Sequence, residues 1–573
     1  MEQNLSDLRA VKSRVFDLSA PGARVEAEMR EIMGRRAAAR TRCVLAREQG
    51  PIRVEVHAED PDMPSLISTV SPPGKDCFLY EEDCVQLAVA GANAAKEDDY
   101  LLVNPHGTRS GTPGALKWPV QVERHPHGWK LVVQVPTPPG EASFGLSLHR
   151  FFRGCNHEVQ GVEDNLPYPL EPARFSVVLL KPGKNPEQLA ARHRHSALEA
   201  AQRSIEQKLS DIRDRIARAA GGPEASIETA RTFALARLAG PCDPVKGMWN
   251  ETYLQHALID LWELERDPKW IETAIPRAEH AWSRRSDRIG AADTLWGVAR
   301  PTWYDDVAGC ADTLASGVIL DPIVRLMRTI HDEPELRRFW PRVEPWCALA
   351  EEVIAVHDPE WVELAGGCGF YIEPYQKGPG RVYPSGGSRL CPFNRALWLG
   401  RPMLNLARIL GRNGYLRKVE MMSRYFLANC ETMDNGSLVW EYLAQPYPAA
   451  GEDLSHAHCQ VLFAELCFAE GIAFTEDDMR RMAATLEKNV MRYGDVPCGT
   501  VRGIDPGLHF AVASWSSLCR YVPHVLPHIV AVLETAMAEG GFDFRREGWG
   551  VRLLTMVEKA RRNAGCPPAR AKS

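Results

Sequence analysis

Hydrophobic and polar positions follow two different rhythms along this chain. Between residue 51 and residue 182 they alternate in short runs: PIRVEVHAE, CVQLAVAGA, DYLLVNPHG, WKLVVQVPTP, FGLSLHRFF and RFSVVLLKPG. Each run is bounded by Gly, Pro, Asn or Asp. A period of two places alternate side chains on opposite faces of a strand, so these runs predict an antiparallel β-sandwich over 51–182. Residues 1–50 are charged and Ala-rich and predict a partly helical N-terminal extension. LLKPGKNPEQ, at 179–188, reads as a linker because Pro and Gly stop the strand pattern there.

From residue 187 onward the apolar positions recur at helical spacing, and one unit repeats. LIDLWELERDPKWIETAIPRAEHAW (258–282), LDPIVRLMRTIHDEPELRRFWPRV (320–343), MLNLARILGRNGYLRKVEMMSRYF (403–426) and VLFAELCFAEGIAFTEDDMRRMAATL (461–486) each give an apolar helix, a polar turn and an amphipathic return helix. Leu261 and Trp270 in the first match Leu406 and Tyr415 in the third at equal spacing. The copies lie roughly 60 to 80 residues apart, longer than the period of common solenoids. Long aromatic loops fill the intervals. Hairpins so spaced predict closure into an (α/α) toroid over 187–560, with an open binding solenoid as the alternative. The fold class is therefore multidomain α+β: a β-sandwich, then a large all-α toroid. The last residues, 561–573, read as a basic tail.

Composition narrows the function. The chain has 573 residues, 45% of them hydrophobic and 25% charged, with a formal net charge of -6. That length asks for two or three domains, and the balance of charge implies no broad basic face for nucleic acid. No apolar run reaches the length of a membrane span. The first residues lack a basic stretch followed by an apolar one, so no secretory signal is expected and the expected location is cytoplasmic. The 15 cysteines are scattered and never form CxxC, which predicts reduced thiols and no structural zinc site. Aromatic residues set in loops beside Gly and Pro are suited to stacking on sugar faces.

The loops before the apolar helices carry the candidate chemistry. They read MWNETYLQHALIDL (248–261), RPTWYDDVAGCADTLASGVILDP (300–322), YIEPYQKGPGRVYPSGGSRLCPFNRALWLG (371–400), VWEYLAQPYPAAGEDLSHAHCQVL (439–462) and GTVRGIDPGLHFAVASWSSL (499–518). In a closed ring these loops share one mouth, where Asn250, Tyr304, Arg389, Asn394, Tyr442, His456 and His509 would face one another. Trp303, Trp440, Tyr371, Tyr375, Tyr383, Glu452, Asp453 and His458 are the further candidates for substrate contacts. Plainer roles compete. Asp453 or Ser455 can cap the helix that holds His456, Asp305–Asp306 can cap another, and Tyr371, Tyr375 and Tyr383 can be core. His456 and His458 are two residues apart and do not share a helix face, so they are a poor metal pair. No cofactor is expected, and a divalent metal involving His509 has no support.

Two resemblances add to this. EEDCVQLAVAG, YLLVNPHGTRSG, GWKLVVQVPTPP and FGLSLHRFFRGCNHEVQG resemble the strands of a family 9 carbohydrate-binding module over residues 50–182. That family binds sugars, although relatives also serve as structural appendages. The helical region and its loops, about 200–540, resemble the (α/α)-toroid polysaccharide lyases, the heparinase II/III- and alginate-lyase-like families. The resemblance implies β-elimination from a uronic-acid-containing oligo- or polysaccharide. Asn250 and Arg389 would neutralise the uronate carboxylate, His456 would remove the C5 proton, and Tyr442, or Tyr304 in its place, would protonate the leaving oxygen. Masking the carboxylate makes the neighbouring proton acidic enough for a general base. Asn250 is followed by Glu251 where the family has His. A glycoside hydrolase using Asp305, Asp306, Glu441, Glu452 or Asp453, a sugar epimerase, and a non-catalytic glycan-binding protein stay open as alternatives. The partner expected in each case is an oligo- or polysaccharide, with no nucleic acid and no membrane, and the oligomeric state is left open.

Overall fold

The computed structural model describes residues 15–564 apart from 19, 21, 29–40, 48–50, 60–83, 91–98, 138–142, 153–154, 161–175, 180–185, 239–247, 294–296, 305–309, 374–388, 443, 445–450 and 541–546. The chain forms two compact units that divide after Gln207.

The first unit is built on two β-sheets. One sheet runs β2 (Arg24–Glu28), β3 (Thr41–Arg47), β4 (Ile52–Glu59), β9 (Gly128–Val135), β8 (Val120–His125). The other runs β1 (Val15–Asp17), β12 (Ser176–Leu179), β10 (Ser143–Phe152), β5 (Cys84–Ala90), β6 (Asp99–Val103), β7 (Arg109–Gly111), with β11 (Cys155–Gln160) on β10. Every pairing is antiparallel except β1 with β12. Alternation does the work the sequence implies. Ile52, Val54, Val56 and Ala58 of β4 point inward and share one core with Leu131 and Val133 of β9 and with Val85, Leu87, Leu101 and Phe144 of the facing sheet. The six alternating runs all appear as strands. Residues 1–50 are expected from the sequence to be partly helical; their described parts form β1, β2 and β3, which complete the two sheets, and the rest lies outside the described residues. Stretches as short as RVEAE are too short for periodicity to tell strand from helix.

The second unit is a ring of helix pairs. Its inner wall consists of α3 (Met248–Glu265), α5 (Thr313–Asp332), α7 (Phe393–Leu410), α9 (Leu454–Ala469), a 3-10 segment (Phe510–Arg520) and α12 (Glu547–Asn563). Each packs on the next, and α12 packs back on α3, so the ring closes. The outer layer is α2 (Ile227–Leu238), α4 (Lys269–Ser283), α6 (Trp346–Ala355), α8 (Asn413–Ala428), α10 (Glu476–Ala484) and α11 (Leu526–Ala538). The outer helix beside α12 is α2, so the first and last pairs of the chain complete one another. A long helix, α1 (Pro186–Ala219), precedes the ring, and its C-terminal part makes the exposed ion pairs Arg213–Asp495 and Arg215–Glu539. The four repeated hairpins of the sequence are inner-to-outer turns of this ring. A three-stranded sheet, β13 (Trp361–Leu364), β14 (Cys368–Glu373) and β15 (Arg389–Leu390), interrupts the helices between α6 and α7. No helix among the described residues is long and apolar enough to cross a membrane. The described cysteines are free thiols, most of them buried.

Two features hold the inner wall. The first is close approach. A Cβ on Gly317 of α5 would stand 2.5 Å from the backbone nitrogen of Leu399 and 2.6 Å from the carbonyl carbon of Trp398 on α7. A Cβ on Gly548 of α12 would stand 2.1 Å from the backbone oxygen of Asn250 on α3. The second is a chain of buried ion pairs. Asp321 of α5 receives Arg401 Nε of α7 at 2.7 Å and lies 3.1 Å from His256 Nε2 of α3. Asp260 of α3 receives Arg325 of α5 at 2.6 Å, and Lys559 and Thr555 of α12 at 3.2 and 3.0 Å.

Gly317→Ala has only backbone to push against, so the two helices must separate. We expect it to lose about 1–3 kcal/mol of stability, measured as an earlier urea midpoint at unchanged slope. A neutral result would mean that α5 and α7 are not in contact there.

Candidate functional site

The inner helices all begin at one end of the ring, so the loops that precede them converge on one mouth. The best-defined part of that mouth is the start of α9. Asp453 is its N-cap: the carboxylate accepts from the N–H groups of Ser455 and His456 at 2.9 and 3.1 Å. Backbone bonds fasten this segment to the next loop, from Leu454 N to Gly499 O and from Val501 N to Glu452 O. Gly451 has φ 81° with Arg502 packed over it, a conformation that suits Gly alone. Arg502 bridges Glu441 and Glu431 at 2.7 Å each.

Glu452, Asp453 and His456 form one titrating group. His456 Nδ1 lies 2.5 Å from Asp453 and 3.5 Å from Glu452, and its ring is 5.5 Å from that of Tyr442. Glu452 is 1% exposed and accepts from Gln460. Burial, reinforced by the neighbouring Asp453 and Glu441 charges, outweighs His456 and pushes the Glu452 carboxyl up to about 7. Burial would also raise Asp453, but the bonds from His456 and Ser455 prevail and hold it at about 2. Burial would lower His456, but the two carboxylates prevail and raise it to about 10. Half of the His456 side chain is exposed, so solvent tempers that pairing, and its direction is upward. These three are the one set of His, Cys, Asp or Glu groups among the described residues close enough to share a metal, with ligand atoms within 4.8 Å of one another. Yet Asp453 already caps α9 and bonds the His456 imidazole, so a metal would have to displace that proton and compete with the cap. The set fits an ion pair better.

His458 is the opposite case. It is 3% exposed, its Nδ1 donates to Ser455 O at 2.5 Å, and Nε2 has no partner among the described residues. Its ring lies 5.6 Å from Trp398 of α7 and 5.0 Å from Trp549 of α12. Since α9 and α12 are not adjacent in the ring, the contact with Trp549 crosses the lumen. Trp549 continues to Tyr253 at 4.7 Å, and Arg552 stands 6.0 Å from the Tyr253 ring. Burial first, and then the Arg552 charge, hold His458 down to about 3. It is a neutral imidazole over the whole physiological range, with a free lone pair on Nε2.

The structure therefore redistributes the sequence candidates. His456 is at the rim, paired with Asp453. Tyr442 stands beside it. His509 lines the same rim, in a cleft of about 380 Å3 that also includes Asp453 and Ser455, and its Nε2 bonds Asp505 O. Asn250 starts α3 against Gly548, and Asn394 is buried with Oδ1 unpartnered at the start of α7. Glu251 turns away from the lumen, to Arg277 and Arg237 of the outer layer at 2.6 and 3.2 Å. Tyr304 is held locally, its hydroxyl accepting from Arg300 N and donating to Val298 O. Three aromatic candidates are corrected: Trp303, Trp440 and Tyr371 are core, not stacking platforms. Trp303 donates to Ala281 O and packs on Trp282, Trp440 stacks on Trp515, and the Tyr371 hydroxyl reaches Met403. Tyr375, Tyr383, Asp305 and Asp306 lie outside the described residues, as does the side chain of Arg389.

Sequence reasoning missed the lumen itself: Tyr253, His256, Asp321, Trp398, Arg401, Trp549 and Arg552. Their signal is a polar or aromatic residue recurring every three or four positions within an otherwise apolar inner helix, as in His256–Asp260–Glu263, Asp321–Arg325 and Trp398–Arg401.

No family model matches the chain, and no curated protein matches it as a relative. Among solved structures, a family 9 carbohydrate-binding module from Caldicellulosiruptor kristjanssonii in complex with cellotriose is similar at 13% identity, covering 30% of this chain and 96% of that one, with a TM-score of 0.23. An alpha-1,6-mannanase, GH76A, from Salegentibacter sp. HEL1_6 is similar at 11% identity over 55% of this chain and 89% of that one, with a TM-score of 0.33. The cellobiose 2-epimerase of Spirochaeta thermophila is similar at 12% identity over 55% and 86%, with a TM-score of 0.35.

Glu452 gives the site a pH signature. Its folded pKa of about 7 exceeds the ordinary glutamate value of 4.5, so folding favours the protonated form. That contribution is complete below about pH 4.5 and is lost as pH rises through 7. The difference amounts to about 3 kcal/mol for a fully buried group. Glu452→Gln should remove this downward slope, so the variant gains on the native protein between pH 4.5 and 7.5 in urea unfolding. Parallel profiles would mean that Glu452 is ionised and solvated.

Proposed function

We propose that the protein is a carbohydrate-active enzyme that removes a carbon-bound proton from a uronic-acid-containing oligosaccharide and cleaves it by β-elimination. The observation that carries this is the pair of histidines at the start of α9 with opposite charge states. His458 is neutral, with Nε2 free and Trp398 and Trp549 beside it. His456 is a cation at the rim. Two titratable groups driven apart by their surroundings are what acid–base work at one pH requires.

The roles follow from position. The His456 imidazolium attracts the substrate carboxylate to the mouth and offsets the charge that builds up when the neighbouring proton leaves. His458 Nε2 takes that proton, and its Nδ1–H bond to Ser455 O fixes the tautomer that leaves Nε2 as the acceptor. Tyr442 protonates the departing oxygen, a role supported by its place beside His456. Half-buried Tyr253 and Trp549 supply ring faces for a sugar. The strand motifs of the N-terminal sandwich, which resemble a family 9 carbohydrate-binding module, support a glycan as the substrate. Epimerisation uses the same first step and differs in returning the proton to the opposite face without breaking a bond.

A second reading has its own observation. Glu452 stands near pKa 7 beside ionised Asp453, a poise suited to a general acid in glycoside hydrolysis. In that case Glu452 donates to the leaving oxygen and no carbon-bound proton is touched.

Incubation with uronate oligosaccharides in deuterated water separates the three. Elimination gives an ultraviolet-absorbing 4,5-unsaturated end. Epimerisation leaves chain length unchanged and puts deuterium on the inverted carbon. Hydrolysis gives new reducing ends and neither signal. His458→Gln should slow proton abstraction by about 100- to 10,000-fold, while His456→Gln should raise KM more than it lowers kcat. Full activity in His458→Gln would remove His458 as the base. Reducing ends that vanish in Glu452→Gln would establish the hydrolytic reading instead.

A further inference from the structure

At the far end of the ring from the mouth, the inner wall encloses a second chamber of about 150 Å3. All six inner segments line it, through Asp260 of α3, Arg325 of α5, Arg401 of α7, Glu465 of α9, Ser517 of the 3-10 segment, and Arg552 and Lys559 of α12. None of the groups given a role in the reaction is among them.

Among the described residues, the charges of this chamber are matched except at Arg552 and Glu465. Arg401 is paired with Asp321. Arg325 and Lys559 are shared between Asp260 and Glu263, two cations for two anions. Arg552 remains. It is 3% exposed, it has no carboxylate within ion-pair distance, and its Nε and Nη1 have no hydrogen-bond partner among the described residues. A guanidinium so placed keeps most of its desolvation cost unless something negative meets it. Across the same chamber, Glu465 Oε1 also lacks a partner. Burial raises the pKa of that carboxyl, against the pull of Ser517 and of the Arg520, Lys559 and Arg401 charges. A protonated Glu465 would present an O–H, so Arg552 and Glu465 would both donate into the chamber.

We propose that this chamber binds a small monovalent anion, a halide or a short carboxylate of formate size, on Arg552 with Glu465 opposite. The ion answers the unpaired Arg552 guanidinium and so bridges α12 toward α9 across the lumen. Its size excludes an oligosaccharide, which separates it from the substrate site at the mouth. The guanidinium supplies directed N–H donors for either anion. A halide takes them as a point acceptor, and a carboxylate takes them in bidentate fashion.

The test uses the full-length protein in sodium bromide and, separately, sodium formate, with ionic strength held constant by the sodium salt of an anion too large for the chamber. Two readouts are needed: anomalous bromide density in crystals soaked at low bromide, and the rise of Tm with anion concentration. The expected result is density beside Arg552 and a Tm that climbs with the logarithm of anion concentration. Arg552→Gln should weaken anion binding by about tenfold to a hundredfold, as expected for loss of hydrogen bonds to a charged group. In anion-free buffer that variant should be at least as stable as the native protein, because it removes a buried uncompensated charge. That second measurement keeps a folding failure from passing as support. Glu465→Gln, which keeps a donor, should retain binding better than Glu465→Leu. Bromide and formate responses together show whether the site takes both sources or one. No density in the chamber, or equal Tm shifts in the native protein and Arg552→Gln, would overturn the proposal and leave water as the occupant. Because these readouts need no substrate, they stand or fall apart from the proposed elimination reaction.

Discussion

The closing of α12 onto α3 is the constraint on which the helical unit depends. A ring of inner helices must bury two opposite faces of each helix, one toward the outer layer and one toward the lumen. The outward faces join a single large apolar core. The lumen faces would be expensive as a second apolar core, since the ring would have to collapse to fill it. Here they carry an ion-pair ladder instead, in which Asp260, Asp321, Arg325, Arg401 and Lys559 tie four helices that are remote in sequence. Buried ion pairs add little net stability, but a partner removed leaves a stranded charge, so the ladder specifies which helices meet and in what register. Gly317 and Gly548 act with it by letting backbones approach where a side chain would hold them apart.

The chemistry at the mouth is a consequence of the same closure. Each inner helix starts at that end, so its N-terminus favours anionic caps, and Asp453 is one. Asp453 then fixes His456 as a cation. Two residues farther along, the helix turn carries His458 into the dry lumen, where the ladder's positive end, Arg552, joins burial in keeping it neutral. One short sequence, EDLSHAH, thus makes a cap, a cation and a neutral imidazole. The cap reading and the catalytic reading of this stretch are therefore not rivals: the cap carboxylate is what sets the charge of the histidine beside it.

Much of this was legible in the sequence. Strand alternation reported six strands of the sandwich, because one face of each is buried and the other solvated. It missed β1, β2, β3, β7, β8 and β11: most of these are short or exposed runs, and β3 lies in the charged, Ala-rich stretch that reads as partly helical. Helical hairpins and their long loops reported the ring. The loop GEDLSHAH, singled out in the sequence, holds the cap and the ion-paired cluster of Glu452, Asp453 and His456. What sequence could not supply was the direction in which each side chain points. Trp303, Trp440 and Tyr371 looked available because their segments read as loops, yet the rings become core, Tyr371 from strand β14. Conversely, Trp398, Trp549 and Arg552 sit within helices and were not singled out, yet they come together in the lumen. The discriminating clue was periodic: a polar residue on the most apolar helices, repeated at every turn.

That clue has a physical corollary. In an ordinary amphipathic helix the polar stripe faces water and the apolar stripe faces the core. In an inner helix of a closed ring the polar stripe faces other polar stripes, and water enters only at the ends. Each group there must be answered by a partner on another helix, so a vacancy in the pairing is informative in a way that it is not on a surface. Asp321, Asp260 and Glu263 are answered. His458 Nε2, near the mouth, and Arg552, toward the far end, are not. These two groups differ in charge, one a neutral acceptor and one a cationic donor, so what would answer one would not answer the other.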